Sequence, residues 1–142
     1  MRKFLATASL GCLAVLGIAT PATAGTDQCW NGAACVWKNS SYTNLFRGMV
    51  TSSKDYHVTA WSDGTFSLGD EVSSVRSQGN TCRVKFFRNR NYEDTDKFIY
   101  FNRVADGSNY QDPYLSNGGG AGPWAGENWN DRISSHRFVD CT

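Results

Sequence analysis

Short runs of β-branched and aromatic residues, separated by Gly, Asn and Asp, set the pattern of this chain. The runs are Cys35-Val36-Trp37, Arg83-Val84-Lys85-Phe86-Phe87, Lys97-Phe98-Ile99-Tyr100-Phe101 and Ile133 to Val139. Runs of this length and composition, bounded by turn formers, predict strands. No window keeps apolar residues at helical spacing for three turns. The stretch from Ala105 to Gly126 holds Gly118-Gly119-Gly120 and Gly122-Pro123, which are loop signals. The pattern predicts an all-β chain: two four-stranded Greek-key units packed as a β-sandwich.

The two units are visible as a repeat. Val36-Trp37-Lys38-Asn39-Ser40-Ser41-Tyr42 matches Phe86-Phe87-Arg88-Asn89-Arg90-Asn91-Tyr92 at an offset of 50. Apolar meets aromatic, Lys meets Arg, Asn meets Asn and Tyr meets Tyr. Further on, Gly69-Asp70-Glu71-Val72-Ser73-Ser74 is a degraded echo of Asn130-Asp131-Arg132-Ile133-Ser134-Ser135, at an offset of 61. Such self-similarity marks a duplicated structural unit. The second unit therefore carries about 11 extra residues, expected within 105–126. Asn44 and Asp94 stand at equivalent places, and Asn and Asp tolerate left-handed backbone best after glycine. Repeat one is expected over about 29–79 and repeat two over about 80–142.

The first 24 residues read differently. Arg2 and Lys3 precede an apolar run from Phe4 to Ile18, and Ala22-Thr23-Ala24 has the small-residue spacing that a signal peptidase cleaves after. The run is shorter than the roughly 20 residues a membrane span needs. The expectation is a signal peptide over 1–24, a single domain over 25–142 and a secreted, extracellular product, with no membrane attachment after cleavage. Cleavage removes two of the 14 basic residues, leaving 12 against 13 acidic ones, so the mature chain is near neutral. No basic surplus points to nucleic acid.

Cys29, Cys35, Cys82 and Cys141 would remain. An even number in a small exported chain reads as a disulfide framework. Three pairings are possible. The favoured one joins Cys29 to Cys35, closing a tight loop, and Cys82 to Cys141, tying the start of repeat two to the C-terminus. No Cys-x-x-Cys pair supports zinc.

The duplicated six-residue signature carries the candidate chemistry. Amide, carboxylate and hydroxyl oxygens are ligands that hard cations such as calcium prefer. The candidate metal residues are Asp70, Ser73, Asn130, Asp131 and Ser134. Ser, Asp and Asn also bond turn backbone, so a purely structural role competes with this reading.

With these residues in view, the chain resembles the βγ-crystallin family. Trp37…Tyr42…Asn44 and Phe87…Tyr92…Asp94 match its aromatic hairpin pattern, with glycine replaced both times. Asn130 to Ser135 matches the Asn/Asp-Asn/Asp-x-x-Ser/Thr-Ser motif of its calcium-binding branch, whereas the earlier copy has Gly69 at the first position. The resemblance implies a Greek-key sandwich and calcium clamped by oxygens from both units. Within the family the chain looks most like small secreted bacterial peptidase inhibitors, on its signal peptide, its Cys29-x5-Cys35 loop, its two-unit layout and its Trp129-Asn130-Asp131 ending. The resemblance implies an extracellular peptidase as partner and a monomeric inhibitor. A calcium-binding module with a structural, stress or toxin role is the alternative.

Of the five tryptophans, Trp37 and Trp129 are expected in the core. Trp124, set among glycines, is expected exposed and able to anchor a partner. The loop from Lys54 to Gly64 is a second candidate contact surface. His57 and His136 lack any nucleophile motif around them, so no enzyme activity and no catalytic residue are expected.

Overall fold

A computed structural model describes residues 25, 28–93 and 97–142; the signal peptide expected over 1–24, and Asp94, lie outside the described residues. Among the described residues seven strands are seen: β1 (Ala34–Asn39), β2 (Thr43–Met49), β3 (Ser74–Ser77), β4 (Arg83–Phe87), β5 (Phe98–Phe101), β6 (Gln111–Asp112) and β7 (Ser135–Val139). Among the described residues the helical turns are all short 3-10 turns. All four expected strands are present; β2, β3 and β6 are additions. β2 carries Asn44, Arg47 and Gly48 among its apolar residues, and β3 has one apolar residue in four, so neither showed a clear alternation.

The strands form two antiparallel sheets, ordered β2-β1-β3-β6 and β5-β4-β7. The expected four-stranded units are not closed within themselves. The first sheet takes β6 from the second unit, with Val75 facing Asp112. The second sheet receives a single bridge from the first unit, Ser53 to His136, at the equivalent place. Each half thus completes the other, which a strand pattern read along one unit does not reveal.

The crossed pairing also locates the extra residues. The offset is 50 at Tyr42 and Tyr92, and becomes 52 where Trp37 faces Phe46 and Phe87 faces Phe98. It rises to 59 at Ser53 and Asp112, and reaches 61 at the pair Leu68 and Trp129, whose amides bond the carbonyls of Tyr56 and Leu115. The insertion expected within 105–126 is therefore distributed. Most of it lies between Phe98 and Asp112, and only two residues fall in the glycine-rich loop.

Between the sheets lies the main core, which includes Val36, Val75, Val84, Phe86, Ile99, Phe101, Tyr56, Trp61, Leu68, Trp129 and Ile133. Strand alternation sends Ala34 and Val36 into this core and Cys35 and Trp37 to the opposite face. There a second cluster of Cys29, Ala33, Cys35, Trp37 and Phe46 forms under the N-terminal segment. Trp37 is fully buried as expected, but in this outer cluster; Trp129 is in the main core. The disulfides are Cys29–Cys35 and Cys82–Cys141, the favoured pairing.

Both hairpins fold over in the same way. Ser41 and Tyr42, and Asn91 and Tyr92, adopt positive φ, and each Tyr ring packs on the aromatic residue five positions before it. Asn44 also has φ of 68°, the left-handed conformation for which its residue type was suited.

Candidate functional site

The two copies of the signature meet between the units. In each copy the two serines part company. The second serine fastens a folded hairpin: Ser74 Oγ donates to the Asn39 carbonyl at 2.8 Å, and Ser135 Oγ to the Asn89 carbonyl at 2.6 Å. These hydroxyls have the structural role that competed with metal binding. The first serine turns to the other unit. Ser134 Oγ donates to Asp70 Oδ1 at 2.9 Å, and Ser73 Oγ approaches Asp131 Oδ1 at 3.5 Å. Backbone bonds set this crossing: the Asp70 amide donates to the Ile133 carbonyl, and the Asp131 amide to the Val72 carbonyl, both at 3.0 Å. Asp70 and Asp131 share the left-handed backbone conformation, with φ of 57° and 54°. The five candidate residues thus fall into two sets, Asp70 with Ser134, and Asp131 with Ser73 and Asn130. Asn130 Nδ2 donates to Asp131 Oδ2 at 2.6 Å.

The surroundings of the two sets differ. The first cavity is lined by Lys38, Asn39, Asp70, Glu71, Ser73 and Asp131. Lys38 Nζ donates to Glu71 Oε2 at 2.9 Å, and Trp61 Nε1 reaches the same oxygen at 3.2 Å. The Lys38 hydrogen bond holds the Glu71 carboxyl below its ordinary range. Burial pushes Asp131 upward, with Glu71 and Asp70 adding repulsion against the Ser73 bond and the Lys38 charge. The second cavity is lined by Asp70, Arg88, Asp131 and Arg132. Its Asp70 also has a neighbour outside the motif: His57 Nε2 lies 3.7 Å from Oδ2, and 3.2 Å from Ser134 Oγ.

His57 accounts for the motif's departure at Gly69. A Cβ on Gly69 would lie 2.5 Å from the imidazole Cγ and Nδ1. The ring occupies the space that a side chain at the motif's first position would need.

These facts bear on the calcium that the sequence resemblance implied. The second cavity sets two guanidiniums against two carboxylates and does not fit a divalent cation. The first offers three carboxylates, but an ammonium already lies among them. Among the described residues no group of three or more His, Cys, Asp or Glu is placed to hold a metal ion. Sequence reasoning placed the positive charge of Arg132 beside the motif, but missed Lys38, Arg88, Glu71 and His57 here. The repeat alignment had already paired Lys38 with Arg88, and Glu71 stands where Arg132 stands in the other copy; only the crossing shows that these residues face the oxygens.

Trp124 departs from the expected exposed anchor. It is half-buried against the main core, with the Arg88 guanidinium 5.0 Å and the Lys97 ammonium 5.6 Å from its ring centre. Its carbonyl accepts the Trp129 indole N–H at 3.0 Å. The cations and the core take up much of the ring surface a partner would need.

The loop from Lys54 to Gly64, with the following turn, presents more. Tyr56, Trp61 and Leu68 are buried anchors, while Val58 and Phe66 are 70% and 76% exposed. The backbone between them is tied internally. Thr59 Oγ1 donates to the Asp55 carbonyl, the Trp61 amide donates to the Thr65 carbonyl at 2.7 Å, and Asp63 Oδ1 accepts from both the amide and the hydroxyl of Thr65. Asp63 is held below its ordinary range chiefly by the Thr65 hydroxyl.

The crossed, doubly Greek-key arrangement decides the comparison with known structures. The fold is that of a βγ-crystallin domain. A domain solved in work on the evolution of the eye-lens βγ-crystallin fold superposes with a TM-score of 0.56 and 19% identity, over 79% of this chain and 89% of that one. A βγ-crystallin from Ciona intestinalis gives 0.52 and 16%, over 76% of this chain and all of that one. One from an archaeon gives 0.50 and 12%, over 78% of this chain and all of that one. No protein-family model matches the chain, and no curated protein matches it. At these identities the likeness is one of βγ-crystallin fold. Its two disulfides suit an oxidising, extracellular environment. Among the described residues no helix is long and apolar enough to cross a membrane.

Proposed function

We propose that this chain is a secreted inhibitor of extracellular peptidases on a βγ-crystallin scaffold, acting as a monomer and without catalysis of its own. The observation that carries the reading is the loop at 54–66. Two apolar side chains, Val58 and Phe66, project from a backbone pinned by buried Tyr56, Trp61 and Leu68. A loop that is already ordered loses little conformational freedom on binding, which favours tight association. The two disulfides and the interlocked sheets limit the local unfolding that would expose the chain to cleavage. The signal-peptide pattern and the sequence resemblance to secreted inhibitors support the same reading.

The test is an inhibition assay of the purified protein against metallo-, serine and cysteine peptidases. One class should be inhibited at micromolar concentration or below. Val58→Asp and Phe66→Asp should weaken that inhibition at least tenfold while leaving the melting temperature near its original value, since both side chains are exposed. Absence of inhibition of every class at micromolar concentration would overturn the proposal. The competing reading, a calcium-binding module, draws on the crossed Asp–Ser pairs; the cations lining both cavities count against it.

A further inference from the structure

We infer that the outer edge of β2 at Gly48 takes an extended peptide segment of another protein as an added strand, with an apolar residue opposite Gly48 and acidic residues on either side of it. The internal repeat carries this. Gly48 faces Cys35 as Tyr100 faces Lys85, so Gly48 and Tyr100 are equivalent, and both lie on the outer strand of their sheet. In the second unit the outward groups of Tyr100 are both used. Its amide donates to the Ala121 carbonyl at 2.8 Å, and its carbonyl accepts the Ala121 amide at 2.9 Å. In the first unit the covering residue sits one step away, at Phe46. The Ser62 amide donates to the Phe46 carbonyl at 3.0 Å, and Ser62 Oγ accepts the Phe46 amide at 3.4 Å. Backbone groups on a strand point to the same side every second residue, so the Gly48 amide and carbonyl also point outward. Among the described residues neither has a partner on that side. Such a pair is a template for a further strand, and Ala121 shows the pairing that the fold accepts there.

The groove beside these groups has two chemically different walls. It is lined by Trp30, Phe46, Arg47, Gly48 and Ser62. On one face the Trp30 indole lies over Gly48, where a Cβ would come 2.6 Å from the ring, and Trp30 is 49% exposed. On the other face Arg47 also lines a neighbouring groove with Lys54 and Val58. Among the described residues neither Arg47 nor Lys54 has a carboxylate partner. Paired residues on adjacent strands share a face, and successive residues alternate. A residue opposite Gly48 therefore meets the indole, and its neighbours face the side of Arg47 and Lys54. This selects an acidic–apolar–acidic segment: main-chain bonds dock it and the side chains choose its sequence. The inference rests on strand register and is independent of the inhibitor proposal.

The experiment is amide hydrogen exchange, read residue by residue by NMR on the unaltered protein, alone and with millimolar blocked peptide Thr-Glu-Val-Glu-Thr. The peptide Thr-Lys-Val-Lys-Thr is the charge control. In the free protein the Gly48 amide should exchange at least tenfold faster than that of Tyr100, its paired counterpart. The acidic peptide should slow Gly48 at least tenfold and leave Tyr100 unchanged. The basic peptide should bind at least tenfold more weakly. Trp30→Ala and Arg47→Gln should each weaken binding of the acidic peptide several-fold; both side chains are part-exposed or exposed, and the exchange measurement on the unaltered protein needs no variant to fold. Equal protection of Gly48 and Tyr100 in the free protein would overturn the inference. So would no slowing at Gly48 with the acidic peptide, slowing centred on another segment, or equal binding of the two peptides. Protection of Gly48 that grows with protein concentration in the absence of peptide would also overturn it, because a second copy of the chain would then cover the edge.

Discussion

The two units carry the same signature in the same backbone conformation, yet their surroundings have diverged in opposite directions. In the first cavity three carboxylates face one ammonium; in the second, two carboxylates face two guanidiniums. The divergence extends to the core. Val75 of β3 and His136 of β7 are equivalent positions, facing Val36 and Phe86 respectively. One unit buries a methyl-bearing side chain where the other buries an imidazole. It extends to the staples as well: Cys29–Cys35 closes a separation of 6 residues in the first unit, and Cys82–Cys141 a separation of 59 in the second. Duplication preserves what the backbone needs, namely the hairpin serines and the left-handed Asp. It leaves side chains around those points free to change charge, polarity and cross-linking.

The staples should separate the units by the largest margin. A disulfide constrains the unfolded chain more when its loop is longer, so removing Cys82–Cys141 as a pair of alanines should cost about 4 kcal/mol, and removing Cys29–Cys35 about 2 kcal/mol. Urea unfolding monitored by tryptophan fluorescence reads both. A larger loss from the shorter loop would show that packing of the outer cluster around Trp37, and not chain entropy, is what the first bridge secures.

The core difference should appear in acid. Burial lowers the His136 imidazole to about 4, the Thr51 backbone opposing the shift, and the Tyr56 hydroxyl lies 2.8 Å from Nδ1. The folded state holds His136 neutral while the unfolded chain protonates it near its ordinary value of about 6.5. The unfolded state therefore binds more protons between these values. The contribution is fully present above about pH 6.5, and is lost as the pH falls toward 4. The loss should reach about 3 kcal/mol at the lower end. The double change His136→Val and Tyr56→Phe restores the first unit's valine and removes both polar partners together, so it should be nearly neutral at pH 7. In that variant the acid-dependent loss should shrink by the His136 share. An unchanged acid limb would place the proton uptake elsewhere.

The smallest effect concerns the motif itself. Gly69→Asn restores the signature's first position but drives a Cβ into the His57 ring. The ring is part-exposed and can swing aside, so the cost should be about 1 kcal/mol, at the low end of overpacking effects. Adding His57→Ala should recover most of it. Lack of recovery would mean that Gly69 serves the backbone and not the ring.

Much of the fold was legible because it depends on local pattern. Four strands, the lack of long helices among the described residues, the hairpin aromatics and Asn44 at a left-handed position all follow from residue type and spacing. β3 and β6 were not legible, since their place in the sheet comes from pairing partners far away in sequence. The site was legible as a set of oxygen-bearing residues, but not as two sets crossed between units. His57 is 13 residues from Asp70 and belongs to no motif, so no sequence signal linked it to Gly69. Trp124 was misjudged because glycines around a tryptophan suggest exposure, whereas Arg88 and the core reach it from other segments.

By itself the sequence determined that the chain is a duplicated all-β domain with paired cysteines and a repeated oxygen-rich signature. These are properties of composition and of period, and both are local. The tertiary structure alone decided which unit completes which sheet and which carboxylate meets which serine. It also decided whose charge stands beside them. The physical reason is that strand exchange brings residues some 60 positions apart within hydrogen-bonding distance. The electrostatics of an oxygen cluster are set by those neighbours and not by the motif that names it.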